Sequence, residues 1–324
     1  MTEIAADKKL AAGMRKPKER RENYFKRLWR DIKMHKMIYL MALPVILYYL
    51  IFHYGPMYGA IIAFKDYNPA DGIMGSPWVG FQHFKEFFQS RNFVRVLSNT
   101  LTISVTNLIF GFPMPIILAL LLNELKSKKF TRVTQTITYL PHFISAVVVC
   151  GMIKTFTAED GVITLLCSAF GMENKTMLNN PDLFVPIYVI SGIWQTVGWS
   201  SIVYLAALTG IDQQLYEAAK IDGAGKLRQI ISVTLPGIAP TVVVMLILKV
   251  GQLLSVGYEK IILLYNPLTY ETADVISSYV YRRGLEDFAW SFSTAVGLFN
   301  SVINSILIFG TNALSRKYSG SSLW

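Results

Sequence analysis

The chain has 324 residues, of which 52% are hydrophobic and 16% charged, with a formal net charge of +10. A soluble protein this apolar would aggregate, so the composition, with a mean hydropathy of +0.39, reads as that of a membrane protein. The positive charge does not form a nucleic-acid-binding face, because 12 of the 31 Lys and Arg residues precede Met37.

Residues 1–21 are polar and charged and read as a disordered leader. The first apolar run begins only after this leader and is too long for a secretory signal, so it is expected to remain in the protein. Phe25, Leu28, Trp29 and Ile32 recur at helical spacing opposite Lys26, Arg27 and Arg30, the pattern of a helix lying on a membrane face. Crossing the hydrocarbon takes about 20 mostly apolar residues in a helix, because lipid offers open backbone groups no partner. Six runs reach that length: 37–64, 101–122, 136–156, 183–209, 237–257 and 294–314. Pro44, Pro56, Pro113, Pro115, Pro141 and Pro186 sit within them or at their ends and predict kinks. After the first run, Phe81, Phe84, Phe87 and Phe88 predict a second interfacial helix, whereas 162–170 is too short to cross and reads as interfacial or re-entrant. With the N-terminus inside, the inner segments hold 21 of the basic residues and the outer segments 9, which places both termini in the cytoplasm. The expected fold is therefore all-α and integral to the membrane. Its parts are a basic tail over 1–36, a six-span domain over 37–315 and a short tail over 316–324.

Between the fourth and fifth runs lies an inner loop, 211–236, reading IDQQLYEAAKIDGAGKLRQIISVTLP. Residues 213–221 predict a helix, Gly223 a turn with Asp222 capping the next helix, and 226–233 a second amphipathic stretch. Small alanines permit close approach to another surface, and Glu217 offers a charge to a basic partner. Glu217, Ala218, Ala219, then Asp222, Gly223, Ala224, and later Leu235 and Pro236, resemble the signature loop of binding-protein-dependent ABC importer permeases. Ile230 and Val233 depart mildly from that pattern and keep its apolar face. The resemblance extends over nearly the whole chain. YGPMYGAIIAFKDY (54–67), SPWVG (76–80), YLPHFIS (139–145), MLNNP (177–181), DVISSYVYRRG (274–284) and SFSTAVGLFNSVIN (291–304) are similar to permeases that import complex sugars, alginate among them.

That resemblance implies a permease of a bacterial inner membrane whose loop docks on an ATPase subunit, Glu217 meeting a basic residue and Gly223 permitting the bend. It also implies two ATPase subunits that bind ATP and Mg, a second homologous permease and an extracytoplasmic binding protein. The chain itself is expected to be no enzyme, since its nearest approach to a phosphate loop, GAGK at 223–226, lacks the upstream glycine and the following Ser or Thr.

Lys249 lies deep in the fifth run, where a lone cation in lipid costs at least ~2.5 kcal/mol. It is expected either to line the path and attract an acidic sugar or to pair with the sister subunit. Trp194, Trp199 and Tyr204 are candidates to stack on sugar rings or to pack, and His142 to serve transport or simply to sit satisfied near the interface. Arg282 and Arg283 either dock the binding protein or are solvated on an interfacial helix. Cys150 and Cys167 have no metal spacing and read as unpaired, and no metal site is expected. The rival readings are a secondary transporter or channel run by ion gradients, and a receptor that senses the binding protein without moving solute.

Overall fold

The computed structural model describes residues 24–320 together with 322 and 323. The leader expected to be disordered, 1–21, lies outside the described residues. Among these the architecture is helical, and the one strand-like feature is an isolated bridge between Lys65 and Trp78. The chain divides into two units, residues 1–59 and 60–324.

The first unit holds α1 (Tyr24–Met34) and α2 (Lys36–Tyr49), followed by a π-helical turn, Leu50–Tyr54. The helix expected from the basic amphipathic pattern is therefore present, with Leu28 and Trp29 exposed. α2 is apolar on all sides, and none of its residues is buried. An all-round apolar helix without a buried residue suits lipid or another chain.

The second unit contains α3 (Gln82–Gln89), α4 (Arg91–Thr106), α5 (Pro113–Glu124), α6 (Lys128–Tyr139), α7 (Ala146–Phe156), α8 (Val162–Ser168) and α9 (Pro181–Thr209). It continues with α10 (Gln213–Ile221), α11 (Lys226–Gln229), α12 (Leu235–Gly251), α13 (Tyr258–Leu264), α14 (Ile276–Tyr281) and α15 (Trp290–Ser319). The turns Leu50–Tyr54, Asn107–Gly111 and Ile230–Thr234 are π-helical, and each ends two residues before a proline: Pro56, Pro113 and Pro236. Proline lacks an N–H and crowds the carbonyl four residues back, and a widened turn just before it accommodates both effects while keeping the helix continuous.

Among the described residues, four continuous stretches are long and apolar enough to cross a membrane: Lys36–Phe64, Arg91–Glu124, Lys226–Gly251 and Trp290–Lys317. The expected third run, 136–156, is instead broken. Lys128–Phe143 and Ala146–Phe156 meet at 100° and count as one further span only as a bent pair. The break follows from the local sequence: Pro141 draws residues 140–143 into a 3₁₀ turn, and Ser145 in extended conformation caps α7 by accepting from the Val148 N–H. The expected fourth run is realised as α9, 29 residues long, but it is not among the stretches apolar enough to count as a span.

α9 lies against α5 and α6, and α12 against α15. The α6–α9 crossing depends on Gly198, where a Cβ would lie 2.1 Å from the Thr138 carbonyl oxygen. Tyr204, Leu208 and Ile238 pack with Ala119 beneath that crossing. The second helix expected from the phenylalanines is present as α3, and part of it enters the core. Phe87 is buried with Tyr279 and Phe292, while Phe81 and Phe88 remain exposed.

Candidate functional site

The loop 211–234 is built by short-range hydrogen bonding. Asp212 starts α10 by accepting from the Gln214 N–H at 2.9 Å. At the other end Gly223 adopts φ +75°, its N–H donates to the Lys220 carbonyl, and the Ala224 N–H reaches the Ala219 carbonyl at 2.8 Å. This paired closure needs the left-handed backbone that glycine adopts freely. The expectation that Asp222 caps the following helix is corrected: Asp222 ends α10, and α11 begins at Gly225 without a side-chain cap. Glycine supplies extended backbone there and has no oxygen to offer.

Gln229, buried, donates to the Ala224 carbonyl at 2.7 Å, and the Tyr216 hydroxyl lies 3.0 Å from that of Thr234, so both halves of the loop are tied together. Lys226 pairs with Glu124 at the end of α5 at 2.6 Å. Leu235 and Pro236 open α12 at the end of this bracing. Glu217 and Ala218 are exposed, as are Leu215, Ile221 and Leu227, with Ile221 at 86% and Leu227 at 72%. The bent loop thus presents exposed apolar side chains beside the exposed Glu217 carboxylate, and water stabilises such side chains poorly.

A cavity of about 300 Å³ opens between α5, α9, α12 and α13, lined by Asn107, Tyr188, Gln195, Tyr204, Lys249 and Lys260 among others. A second cavity of about 180 Å³ shares Asn107, Tyr188 and Lys249 with it. Asn107 opens the π-helical turn of the second span, and Gly111 closes it, so the widened turn faces the first cavity. The polar residues Gln195, Thr196 and Ser200 of α9 also line it.

Of the four residues expected on a path, the structure brings Lys249 and Tyr204 to the cavity and leaves the tryptophans elsewhere. Trp194 lines a separate apolar cavity with Ile153 and Pro186. Trp199 stacks on His142, with ring centroids 4.7 Å apart and planes 4° apart. Helical spacing does not separate Trp199 from the cavity-lining residues, since it follows Gln195 by about one turn; its ring is taken up by His142 and Phe143 instead. Lys260, Tyr188, Gln195 and Asn107 were not singled out from sequence. The signal available was Lys260, next to Glu259, at the start of the short YEKIILL helix after the fifth apolar run.

In the outer segment, Asp274 is fully buried and takes both Arg282 nitrogens at 2.9 and 2.7 Å, with Ser278 at 2.8 Å and Arg95 at 3.4 Å. Burial opposes the charge on Arg282, but its hydrogen bonds to Asp274 and Tyr265 outweigh this and hold its pKa above the ordinary arginine value. Arg282 is thus engaged inside the fold. Arg283 pairs with Asp287 at 2.9 Å and lies over the Phe292 ring at 5.3 Å. Both cysteines are free, and no cluster of metal-ligating side chains occurs among the described residues.

Residues 111–320 match the family described as binding-protein-dependent transport system inner membrane component. The chain is 45% identical to the protein LplB of Bacillus subtilis over 90% of this chain and 92% of that one. It is also 45% identical to the polygalacturonan/rhamnogalacturonan transport system permease protein YteP of the same organism, over 92% and 94%. A chain in the crystal structure of a bacterial ABC transporter that imports the acidic polysaccharide alginate superposes with a TM-score of 0.83 at 47% identity, covering 90% of this chain and 99% of that chain. The alginate transporter bound to its pentasaccharide-loaded periplasmic protein gives a TM-score of 0.84 at 46% identity, over 92% and 100%. The chain belongs to the inner membrane components of binding-protein-dependent transport systems, the permeases of ABC transporters, with sugar and polysaccharide permeases as its relatives.

Proposed function

We propose that this chain forms the translocation path of an ATP-driven oligosaccharide importer, with alginate or its oligosaccharides as the leading substrate, and works by alternating access. The observation that carries the reading is the rigid, bent loop with Glu217, Ile221 and Leu227 exposed on it. In this reading the loop sits in a groove of an ATPase subunit, and Glu217 meets a basic residue there. Two such subunits bind ATP and Mg and close on nucleotide. Because the loop is braced to α5 through Lys226 and Glu124, a push on it reaches the spans as a rigid-body movement. A second homologous permease completes the pore, and an extracytoplasmic binding protein delivers the sugar, with Arg283 on the docking side. α9 serves as the sixth span, its polar face turned to the cavity, and both termini lie in the cytoplasm.

The test is uptake in sealed proteoliposomes carrying the whole importer with internal ATP. Glu217→Lys is expected to abolish ATP-driven uptake of alginate oligosaccharide while the permease chain by itself still melts as the wild type does, since the side chain is exposed on it. Uptake that persists without the ATPase subunits, or that follows an ion gradient, refutes the reading in favour of a secondary transporter. ATP turnover with no uptake at all favours a receptor.

A further inference from the structure

Resting on the permease reading, we propose that Asn304 is a positioning residue of the transport path: its amide clasps the non-helical segment 252–257 that follows α12 and fixes it as a wall of the second cavity. α12 ends at Gly251, and helix resumes only with α13 at Tyr258. Unlike the π-helical turns, this break has no proline to cause it, since 251–257 reads GQLLSVG. A Cβ on Gly251 would stand 2.8 Å from the Ile308 side chain, so α12 runs close against α15 up to the break.

The unwound backbone is held by side chains of other elements. The Asn304 Oδ1 accepts the Leu254 N–H at 3.1 Å, while its Nδ2 donates to the Ser255 hydroxyl at 2.8 Å. The Ser104 hydroxyl of α4 donates to the Leu253 carbonyl, and that of Ser277 on α14 to the Val256 carbonyl. Asn304 stands midway along α15, so the break lies well inside the last apolar run. Non-helical backbone at membrane depth persists only where protein or a water-filled cavity satisfies it. Both occur here: Leu254 is buried, whereas Gln252, Leu253, Ser255 and Gly257 line the second cavity with Ser104.

The residues between the glycines suit a helix as well, so contacts from elsewhere, not the local sequence, keep the segment unwound. Asn304 supplies two of these four side-chain bonds, and all four join neutral groups, so parting them strands no charge. α12 continues directly from the bent loop, and a push on its inner end shifts it along α15 and loads the break at its outer end. The clasp therefore closes in one transport state and opens in the other. Closed, it sets the exposed Gln252 and Ser255 in the wall, where they meet a passing solute.

The test uses the complete importer in nanodiscs, where an aqueous thiol reagent reaches both faces, with Cys150 and Cys167 replaced by alanine and the labelling of that background subtracted. Gly257→Cys is the reporter, because φ there is −61° and a Cβ meets no heavy atom within 4 Å. Thr196→Cys, on α9 in the first cavity, is the control. Labelling at 257 is expected to differ about 10-fold between the nucleotide-free importer and one trapped with ATP and vanadate, the scale of two neutral hydrogen bonds. Asn304→Leu is expected to bring the two rates within about twofold of each other, leave those at 196 as they were, and lower ATP-driven uptake in proteoliposomes about 10-fold. Equal rates at 257 with Asn304 in place, or a difference that survives Asn304→Leu, overturns the proposal. A change at both thiols also overturns it, in favour of a structural role for Asn304. If Asn304→Leu does not assemble, Ser255→Ala takes its place, removing one bond of the two; about threefold effects are expected, and unchanged rates overturn the proposal. A wild-type importer without ATP-driven uptake sinks the permease reading, a separate outcome, since labelling at 257 is read independently of transport.

Discussion

Replacing Gly223 with valine isolates the contribution of the bend to the work of the loop. No heavy atom lies within 4 Å of where a Cβ would stand at this position, so the substitution creates no clash, and its whole cost comes from the backbone at φ +75°. An L-residue in the left-handed region costs roughly 1–2 kcal/mol, and a β-branched one falls at the upper end. That lowers the population of the bent form by about 5–30-fold. The hydrogen bonds from Gly223 to Lys220 and from Ala224 to Ala219 would loosen together. Since the loop is exposed, melting of the permease in detergent is expected to be unchanged, while ATP-driven uptake falls by about 5–30-fold. Gly223→Asn should lose less, because asparagine visits the left-handed region more readily. A valine variant that assembles normally and pumps at the wild-type rate would refute the reasoning, since the bend would then have no mechanical role.

Three further outcomes are expected from the packing and the ion pairs. At Gly198, alanine would place a Cβ against the Thr138 carbonyl, so the α6–α9 crossing must spread. Thermal unfolding in detergent should register a loss of about 1–3 kcal/mol, and an unshifted melt would mean the crossing is not close-packed. Asp274→Asn leaves the Arg282 guanidinium partly buried without its counter-charge. It should destabilise by about 3–5 kcal/mol, and the double substitution Asp274→Met with Arg282→Met should recover much of that; a double variant no more stable than the single one would contradict the argument. Lys226→Ala removes an ion pair whose side chains are 70% and 33% exposed, so its effect on melting should stay below ~1 kcal/mol. A larger destabilisation would mean that the bond braces the fold as well as the loop.

Hydropathy and charge alone were enough to read a helical membrane protein, its long apolar stretches and the bent loop around Gly223, because these depend on short-range properties. Apolar runs of sufficient length, a capping aspartate and a glycine free to turn left-handed act within one or two helical turns. Local chemistry misled where two signals competed. Asp222 is a good capping residue, but the backbone closes on Gly223 and leaves it at the end of α10. The run at 136–156 is apolar enough to cross, yet Pro141 and Ser145 break it.

The cavity was legible only in part. Lys249 stood out as a charge inside a span, but which way each residue of a long helix points depends on its neighbours. Tyr188, Gln195 and Tyr204 line the cavity, while Trp194 lines a separate one and Trp199 is stacked on His142. Lys260 lies on the separate helix α13 and reaches Tyr188 across 72 positions of sequence. Arg282, which looked free in sequence, is consumed by a buried aspartate eight residues earlier. Periodicity and composition thus determined which elements form and which of them are apolar. The tertiary structure decided which side chains share a wall, because that depends on helix rotation and crossing, properties of pairs of elements that no single segment encodes.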